Sequence, residues 1–277
     1  MPSAYDQLLD ATIQRLEDLK LRGAKHVAVS NETLRELSQP PQNRNAEIKI
    51  QKQKDNETKT ISIFGVRSLS ANKTAAFKVL RERAMACIKC SHLVSSRKNV
   101  VFGVGSIDAQ LMFVGEAPGA DEDAQGEPFV GAAGQLLTKI IQATGLSRAD
   151  VYIANILKCR PDTPSQSSGN RKPTPEEMAA CIPFLHEQID LIRPRVIVAL
   201  GATAVEGLLG KTIGITKLRG NWQTYRDTPL MPTYHPAYLL RNQAMSEKRR
   251  VWEDMLAVME KLGMPISEKQ QNYFLKG

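Results

Sequence analysis

Four cysteines are the residues best suited to metal chemistry in this 277-residue chain, and they are all the thiols that it contains. Cys87 and Cys90 form a CxxC pair, and Cys159 and Cys181 follow singly on either side of a proline-rich loop. Nothing at the amino terminus resembles a secretory signal, so we expect thiolates in a reducing cytoplasm rather than disulfides. Four cysteine ligands hold either zinc or an iron-sulfur cluster, and the spacing leaves both open.

The overall composition is typical of a soluble globular protein, with 42% hydrophobic and 24% charged residues. No apolar run approaches the length of a transmembrane helix, so we expect no membrane association. The formal net charge of +8 favours a polyanionic partner, because Lys and Arg release counterions from a phosphate backbone. A basic tail that only aids solubility would give the same charge.

Alternating apolar runs and helical patterns begin near residue 75. The strands and helices that they predict must position the four cysteines. The alternation predicts a three-layer α/β/α fold with a central, mainly parallel four-stranded sheet. The four strand candidates are QLMFVG, DVYIAN, RVIVALG and LMPTY. Helices are predicted over residues 134–144, after Thr174 and after Ser246. Thr174 is the N-cap of the second helix, with Pro175 at its first position and Glu177 completing a capping box. Ligands bind at the carboxyl ends of such strands, so the loops that follow them should carry the chemistry.

The same patterns divide the chain into three parts. Residues 1–75 are predicted to be an extension, with an amphipathic helix over 5–21 and a flexible polar linker. Residues 76–265 form the α/β domain, and residues 266–277 a C-terminal tail.

Three loops hold side chains suited to binding a planar ligand. The first, GEAPGADEDAQGEPFVGAAG, matches neither common phosphate-binding pattern, and its carboxylates oppose a phosphate. Its glycines let the backbone approach a flat ring, with Phe129 either as a stacking face or as a core aromatic. Asn155 ends the second strand, where its amide either reads a base edge or caps a turn. His235 precedes a proline after the fourth strand and is the histidine best placed for catalysis.

Three motifs together with the cysteines carry a specific resemblance. GEAPGADED with PFVGAAG, VYIANILKCRP and YHPAYLLR occur in order between Arg83 and Leu262. They resemble the family 4 uracil-DNA glycosylases, the iron-sulfur-containing branch of that superfamily. The resemblance implies a hydrolase that flips uracil out of single- or double-stranded DNA and cleaves its N-glycosidic bond. The abasic site that remains starts base-excision repair. It also implies a structural 4Fe-4S cluster on Cys87, Cys90, Cys159 and Cys181, and we expect a monomer.

The resemblance assigns further roles residue by residue. It places uracil against Gly115, Glu116, Ala117, Phe129, Asn155 and His235. His235 would donate to O2 of the departing base. Position 117 is alanine, where better-known branches have an acidic or amide residue, so the general base is open between Glu116 and Glu122. Glu122 is also the candidate wall against the C5 methyl group of thymine.

DNA contacts are expected beyond the pocket. Leu239 and Leu240 are predicted to lie exposed on a loop, where they would fill the space that a flipped base leaves, or else to pack against the next helix. Arg241 would meet a phosphate. Asn170 and Arg171 match an NR pair of the family and are expected to contact DNA, and the further candidates are Arg97, Lys98, Arg160 and Lys172.

Two features leave room for other outcomes. The segment between Cys159 and Cys181 is longer than the family pattern, which should alter the DNA-facing rim and leave the cluster intact. Other functions that the cysteines allow are a non-catalytic iron-sulfur or zinc DNA-binding module and an electron carrier.

Overall fold

The computed structural model describes residues 64–163, 166–210 and 212–275. The predicted amphipathic helix over 5–21 and the polar linker lie outside these residues. The described strands are β1 (Val104–Gly105), β2 (Leu111–Gly115), β3 (Tyr152–Asn155), β4 (Asp162–Thr163), β5 (Gln166–Asn170), β6 (Val196–Leu200), β7 (Gln223–Tyr225) and β8 (Thr228–Thr233). The described helices are α1 (Phe64–Met85), α2 (Ser91–Ser96), α3 (Ala120–Gln125), α4 (Ala132–Ala143), α5 (Pro175–Ile192), α6 (Ala202–Leu209), α7 (Ile215–Leu218), α8 (Pro236–Arg241), α9 (Met245–Leu262) and α10 (Glu268–Gln271).

Six strands form one mixed sheet in the order β1-β3-β2-β6-β8-β7. Its four central strands, β3, β2, β6 and β8, run parallel and coincide with the four predicted apolar runs. All residues of β2, β3 and β6 are buried, as expected for parallel strands covered on both faces. The edge strands β1 and β7 are antiparallel to their neighbours and were not predicted.

Helices cover both faces of the sheet, which confirms the three-layer fold. Along β2, Met112 and Val114 face one apolar layer, and Leu111 and Phe113 face the other, because side chains alternate along a strand. The first layer packs against α1, α5 and α6. The second packs against α4 and α9, with Val251 of α9 in a small adjoining cluster.

The helix boundaries follow local sequence signals. Helix α5 begins with the predicted capping box, in which Thr174 accepts from the Glu177 amide and Glu177 accepts from the Thr174 amide. Helix α9 buries Val251, Met255 and Leu262, as its spacing predicted. No helix in the described part of the chain is long and apolar enough to cross a membrane.

Both predicted domain boundaries fall inside packed structure. Helix α1 runs through residue 75. Beyond residue 265, Trp252 Nε1 donates to the Gln270 carbonyl and Arg249 donates to the Gln271 and Tyr273 carbonyls. The predicted tail is therefore attached to α9 as far as Tyr273.

Candidate active site and cysteine centre

The carboxyl ends of the parallel strands meet at one edge of the sheet, where they surround a cavity of about 180 Å³. Its lining combines one aromatic, one amide, one imidazole and several small residues: Ala117, Gly119, Glu122, Phe129, Ala133, Asn155, His235 and Ala237. The sequence therefore identified five of the lining residues, and it missed Gly119, Ala133 and Ala237. Predicted Glu116 is not among them; its carbonyl accepts from the Leu157 amide.

Asn155 is the last residue of β3, and its side chain is buried, with 2% of the residue exposed. Its Oδ1 is the buried side-chain oxygen in the described residues that has no hydrogen-bond partner. Leaving a buried acceptor unpaired costs about 1–3 kcal/mol, so native proteins seldom do so without a reason. An acceptor held ready inside a cavity is suited to a ligand that brings an N–H group.

Gly115 lies directly behind two of the side chains that line this cavity, those of Asn155 and Phe129. A Cβ at this position would lie 2.4 Å from Asn155 Oδ1 and 2.5 Å from Phe129 Cζ. Both side chains therefore rest directly against the Gly115 backbone. Glycine is needed here for space, and the predicted contact of Gly115 with the ligand stays a prediction.

Phe129 supplies the aromatic face. Its backbone has a φ of 55°, a left-handed conformation that is uncommon for a residue with a bulky side chain. Its ring centroid lies 5.6 Å from that of His235, with 32° between the ring planes. A strained backbone conformation persists only where packed neighbours impose it. Such conformations occur mainly at ligand-binding and active sites.

His235 caps the amino end of α8, and Pro236 occupies the first turn. The His235 Nδ1 accepts a hydrogen bond of 3.1 Å from the Ala237 amide, so this nitrogen is unprotonated. Burial, reinforced by nearby Arg241, lowers the pKa of His235 to about 4. The ring is therefore neutral at pH 7 with its proton on Nε2, where it can serve as a donor.

Glu122 is held by the loop that it lines. Its Oε2 accepts from the Gly119 amide, and its Oε1 accepts from the Val130 and Gly131 amides, each at 3.0 Å. Both carboxylate oxygens are thus occupied by backbone donors. These contacts oppose the predicted role of Glu122 as a general base and make it a rigid clamp on the loop.

The four cysteines come together in a second, smaller cavity, with Lys89, Leu93, Arg97, Leu157 and Ala180. All four are free thiols in the structure. Arg97 Nη1 donates to Cys159 Sγ at 3.1 Å, and the Lys158 amide donates to Cys181 Sγ at 3.2 Å. Burial raises the pKa of Cys181 to about 11, and it raises the pKa of Cys90 and Cys159 as well. Metal binding displaces such protons.

Glu177 organises the segment between Cys159 and Cys181. Its carboxylate, only 2% exposed, accepts from Arg171, His92 and the Thr174 amide. Arg171 is the main reason that the pKa of Glu177 falls to about 2. Within this segment, β4 and β5 form an antiparallel pair, in which Asn170 pairs with Asp162.

Three of the basic side chains that were expected to contact DNA have partners within the fold. Arg171 is turned towards Glu177 and the Asp162 carbonyl rather than outwards. Lys172 pairs with Glu206, and Arg97 is engaged with Cys159 and the Cys87 carbonyl. All three side chains therefore have acceptors within the fold, and their contact with DNA stays a prediction.

The predicted leucine loop is helix α8. Leu239 is 5% exposed and packs with Tyr234 and Val251, whereas Leu240 is 40% exposed. Successive helical residues point about 100° apart, so Leu239 and Leu240 project from α8 in different directions. The expectation that Leu239 is exposed was wrong, and Leu240 and Arg241 form the exposed pair.

Comparison with known proteins agrees with this geometry. The family model for the uracil-DNA glycosylase superfamily matches residues 102–256, which contain the whole six-stranded sheet and every residue that lines the Asn155 cavity. The fold and the site therefore define a protein of the uracil-DNA glycosylase class.

Individual relatives identify the family within this superfamily. The chain is 49% identical over 183 residues to a type-4 uracil-DNA glycosylase of Thermotoga maritima, covering 64% of this chain and 90% of the relative. It is 40% identical over 208 residues to a type-4 enzyme of Sulfurisphaera tokodaii, covering 72% and 90%. It is 40% identical over 204 residues to a type-4 enzyme of Archaeoglobus fulgidus, covering 71% and 96%. The chain belongs to the type-4 uracil-DNA glycosylase family.

Proposed function

We propose that this protein excises uracil from DNA by hydrolysing the N-glycosidic bond, which leaves an abasic site for base-excision repair. The observation that carries the proposal is the unpaired, buried Oδ1 of Asn155 in a cavity with Phe129 and His235. Membership of the type-4 family supports the same reaction.

Recognition of uracil follows from the chemistry of the Asn155 amide. Uracil presents N3–H as a donor and O4 as an acceptor, so Oδ1 and Nδ2 pair with both. Cytosine presents an acceptor and a donor in the opposite order, which leaves the buried Oδ1 facing another acceptor. Sites built around such hydrogen bonds reject analogues that lack them by factors of about 10⁴–10⁵.

Phe129 offsets part of the cost of extruding the nucleotide. Stacking of a base on an aromatic ring contributes about 1–3 kcal/mol, and unstacking a base from the duplex costs a few kcal/mol. Glu122, held by three backbone amides beside the cavity, is rigid enough to serve as the wall against the C5 methyl group of thymine.

His235 is the group that stabilises the departing base. Negative charge develops on O2 of uracil as the bond to the sugar breaks, and Nε2–H of the neutral imidazole donates to it. A preorganised donor of this kind contributes about 2.7–4 kcal/mol to the rate. Glu116 assists through its charge near the oxocarbenium-like sugar or through water. Its absence from the cavity lining makes its contribution the smaller one.

DNA binding places the exposed end of α8 against the duplex. Leu240 fills the space of the extruded base, and Arg241 meets a phosphate. The protein acts on single- or double-stranded DNA in the cytoplasm. A monomer is sufficient for this activity, since one chain supplies the whole described cavity.

The four cysteines hold a 4Fe-4S cluster in this proposal. The resemblance of the motifs to the iron-sulfur-containing branch favours the cluster over zinc, which four cysteines can also hold. The four thiols line one cavity, and the N–H groups of Arg97 and Lys158 donate to Cys159 and Cys181, as they would to cluster-bound sulfur. The cluster, when bound, would tie α2, the segment after β3 and α5 together.

The test uses the purified protein and oligonucleotides that carry one uracil, in single strands and opposite G or A. We expect alkali-labile sites at uracil and none at cytosine or thymine in the same position. A protein that binds these oligonucleotides and leaves them intact would instead be a non-catalytic DNA-binding module. Broad visible absorption, lost on chelation or oxidation, is expected for the cluster, and a colourless zinc protein would contradict it.

A further inference from the structure

We propose that Arg148 is a positioning residue for uracil excision, acting by holding the backbone that presents Phe129 as the stacking face. The proposal rests on the proposed function, because it concerns the same cavity. Arg148 lies in the loop between α4 and β3 and is absent from the cavity lining. It acts through Phe129 rather than by touching the base.

The guanidinium grips two consecutive carbonyl groups. Arg148 Nη2 donates to the Pro128 carbonyl at 2.8 Å, and Nη1 donates to the Phe129 carbonyl at 3.1 Å. The same Nη1 lies 3.4 Å from Thr138 Oγ1 on α4. A planar fork with two parallel donors fits adjacent acceptors in a way that a single ammonium group does not.

The segment that Arg148 holds contains the strained backbone of Phe129. Phe129 has a φ of 55°, and a non-glycine residue stays in that region only when its surroundings impose it. Two other features constrain the same turn. Glu122 accepts from the amides of Val130 and Gly131. The Gly134 backbone packs so closely that a Cβ at this position would lie 1.8 Å from the Phe129 carbonyl oxygen.

The loop is therefore clamped from two sides. Glu122 holds the amides that follow Phe129, and Arg148 holds the carbonyls of Phe129 and of the residue before it. Without Arg148, the carbonyls lose their donors and the left-handed turn loses one of the contacts that impose it. The ring would then no longer stay fixed against Gly115 and Asn155.

The test is a double-mutant cycle between Arg148→Met and Phe129→Ala, read by single-turnover excision of uracil from an oligonucleotide. A misplacement of about 1 Å costs about 100-fold in rate, so we expect Arg148→Met to lower the single-turnover rate constant by 10- to 100-fold. In the Phe129→Ala background, the same change should cost less than threefold. Arg148→Lys should recover only part of the rate, because it keeps the charge and loses the fork.

Arg195→Met is the matched control, since Arg195 also donates to a backbone carbonyl, that of Leu262, but lies at the amino end of β6. It should retain wild-type activity. The proposal is overturned if Arg148→Met excises uracil at the wild-type rate, or if its loss is equally large without the Phe129 ring. If Arg148→Met is unfolded by circular dichroism, Arg148→Lys replaces it in the cycle with the same two criteria. An inactive wild-type protein would instead refute the proposed function.

Discussion

Replacing Gly115 with alanine tests the proposed contact between the Asn155 amide and the Phe129 ring. The added Cβ would lie 2.4 Å from Asn155 Oδ1 and 2.5 Å from Phe129 Cζ. Favourable carbon contacts begin near 3.5 Å, so each group must retreat by about 1 Å. Gly115 does not have the positive φ that an alanine would resist, so the whole effect is steric.

The two displacements bear on activity more than on stability. A shift of about 1 Å in a positioned group lowers the rate about 100-fold, which corresponds to about 2.7 kcal/mol in the transition state. Overpacking of this kind costs about 1–3 kcal/mol of folding free energy, or about 2–12 °C in the unfolding midpoint. The variant should therefore remain folded at 25 °C and excise uracil at least 100-fold more slowly.

The assay is single-turnover excision from a labelled uracil-containing oligonucleotide, with alkaline cleavage of the abasic product. Gly214→Ala is the matched control, since its added Cβ meets nothing within 4 Å and its φ is −55°. If Gly115→Ala stays within threefold of the wild-type rate, the base does not occupy the space above Gly115, and the proposed binding geometry is wrong.

Three further outcomes follow from the charged and buried groups. Because the pKa of His235 lies at about 4, below its ordinary value of 6.5, the imidazole stays neutral from pH 8 down to about pH 5. The rate lost in His235→Ala should therefore be constant across pH 5.5–8 and larger than that in Glu116→Gln, and a His-dependent rate that falls with a midpoint near pH 6.5 would contradict this. Arg219 pairs with buried Asp254, whose pKa burial raises to about 6. That carboxylate takes up its proton at higher pH in the folded state than in the unfolded state, so its burial costs stability above pH 6 and less as the pH falls. Arg219→Met should thus lose about 3–5 kcal/mol at pH 8 and clearly less at pH 5 in urea unfolding; equal losses would show that the carboxylate does not change its charge between these pH values. Lys158 is fully buried and donates to the Asn155 carbonyl and to Gln188 Oε1. Lys158→Met should lower the unfolding free energy by about 1–3 kcal/mol for each acceptor left unpaired, and an unchanged midpoint would show that water replaces the amine.

The central sheet was predictable because β2, β3 and β6 are almost wholly apolar runs bounded by turn residues, and β8 contains the apolar pair Leu230 and Met231. The edge strand β1 has two residues and β7 has three, which is too short for an alternating pattern to show. Helix α8 had a readable signal, since His235 followed by Pro236 is an N-cap and first-turn pair. That signal would have separated Leu239 from Leu240.

The site residues divide in the same way. Asn155 and His235 lie at strand ends, so the fold alone brings them together once the strand order is known. Arg148 and Lys158 were missed, because each acts on a partner that only the folded chain brings near: Phe129, 19 residues away, and Gln188, 30 residues away. The contact between Arg171 and the buried carboxylate of Glu177 was missed as well, since nothing in the spacing of these residues reveals it.

The most direct measurement of the central claim compares wild type and Asn155→Ala on two oligonucleotides that differ only in carrying uracil or cytosine at one position. We expect the wild type to form abasic sites at uracil and none at cytosine, and Asn155→Ala to remove uracil at least 100-fold more slowly while binding the DNA. Uracil removal by Asn155→Ala at the wild-type rate would show that the buried amide does not read the base.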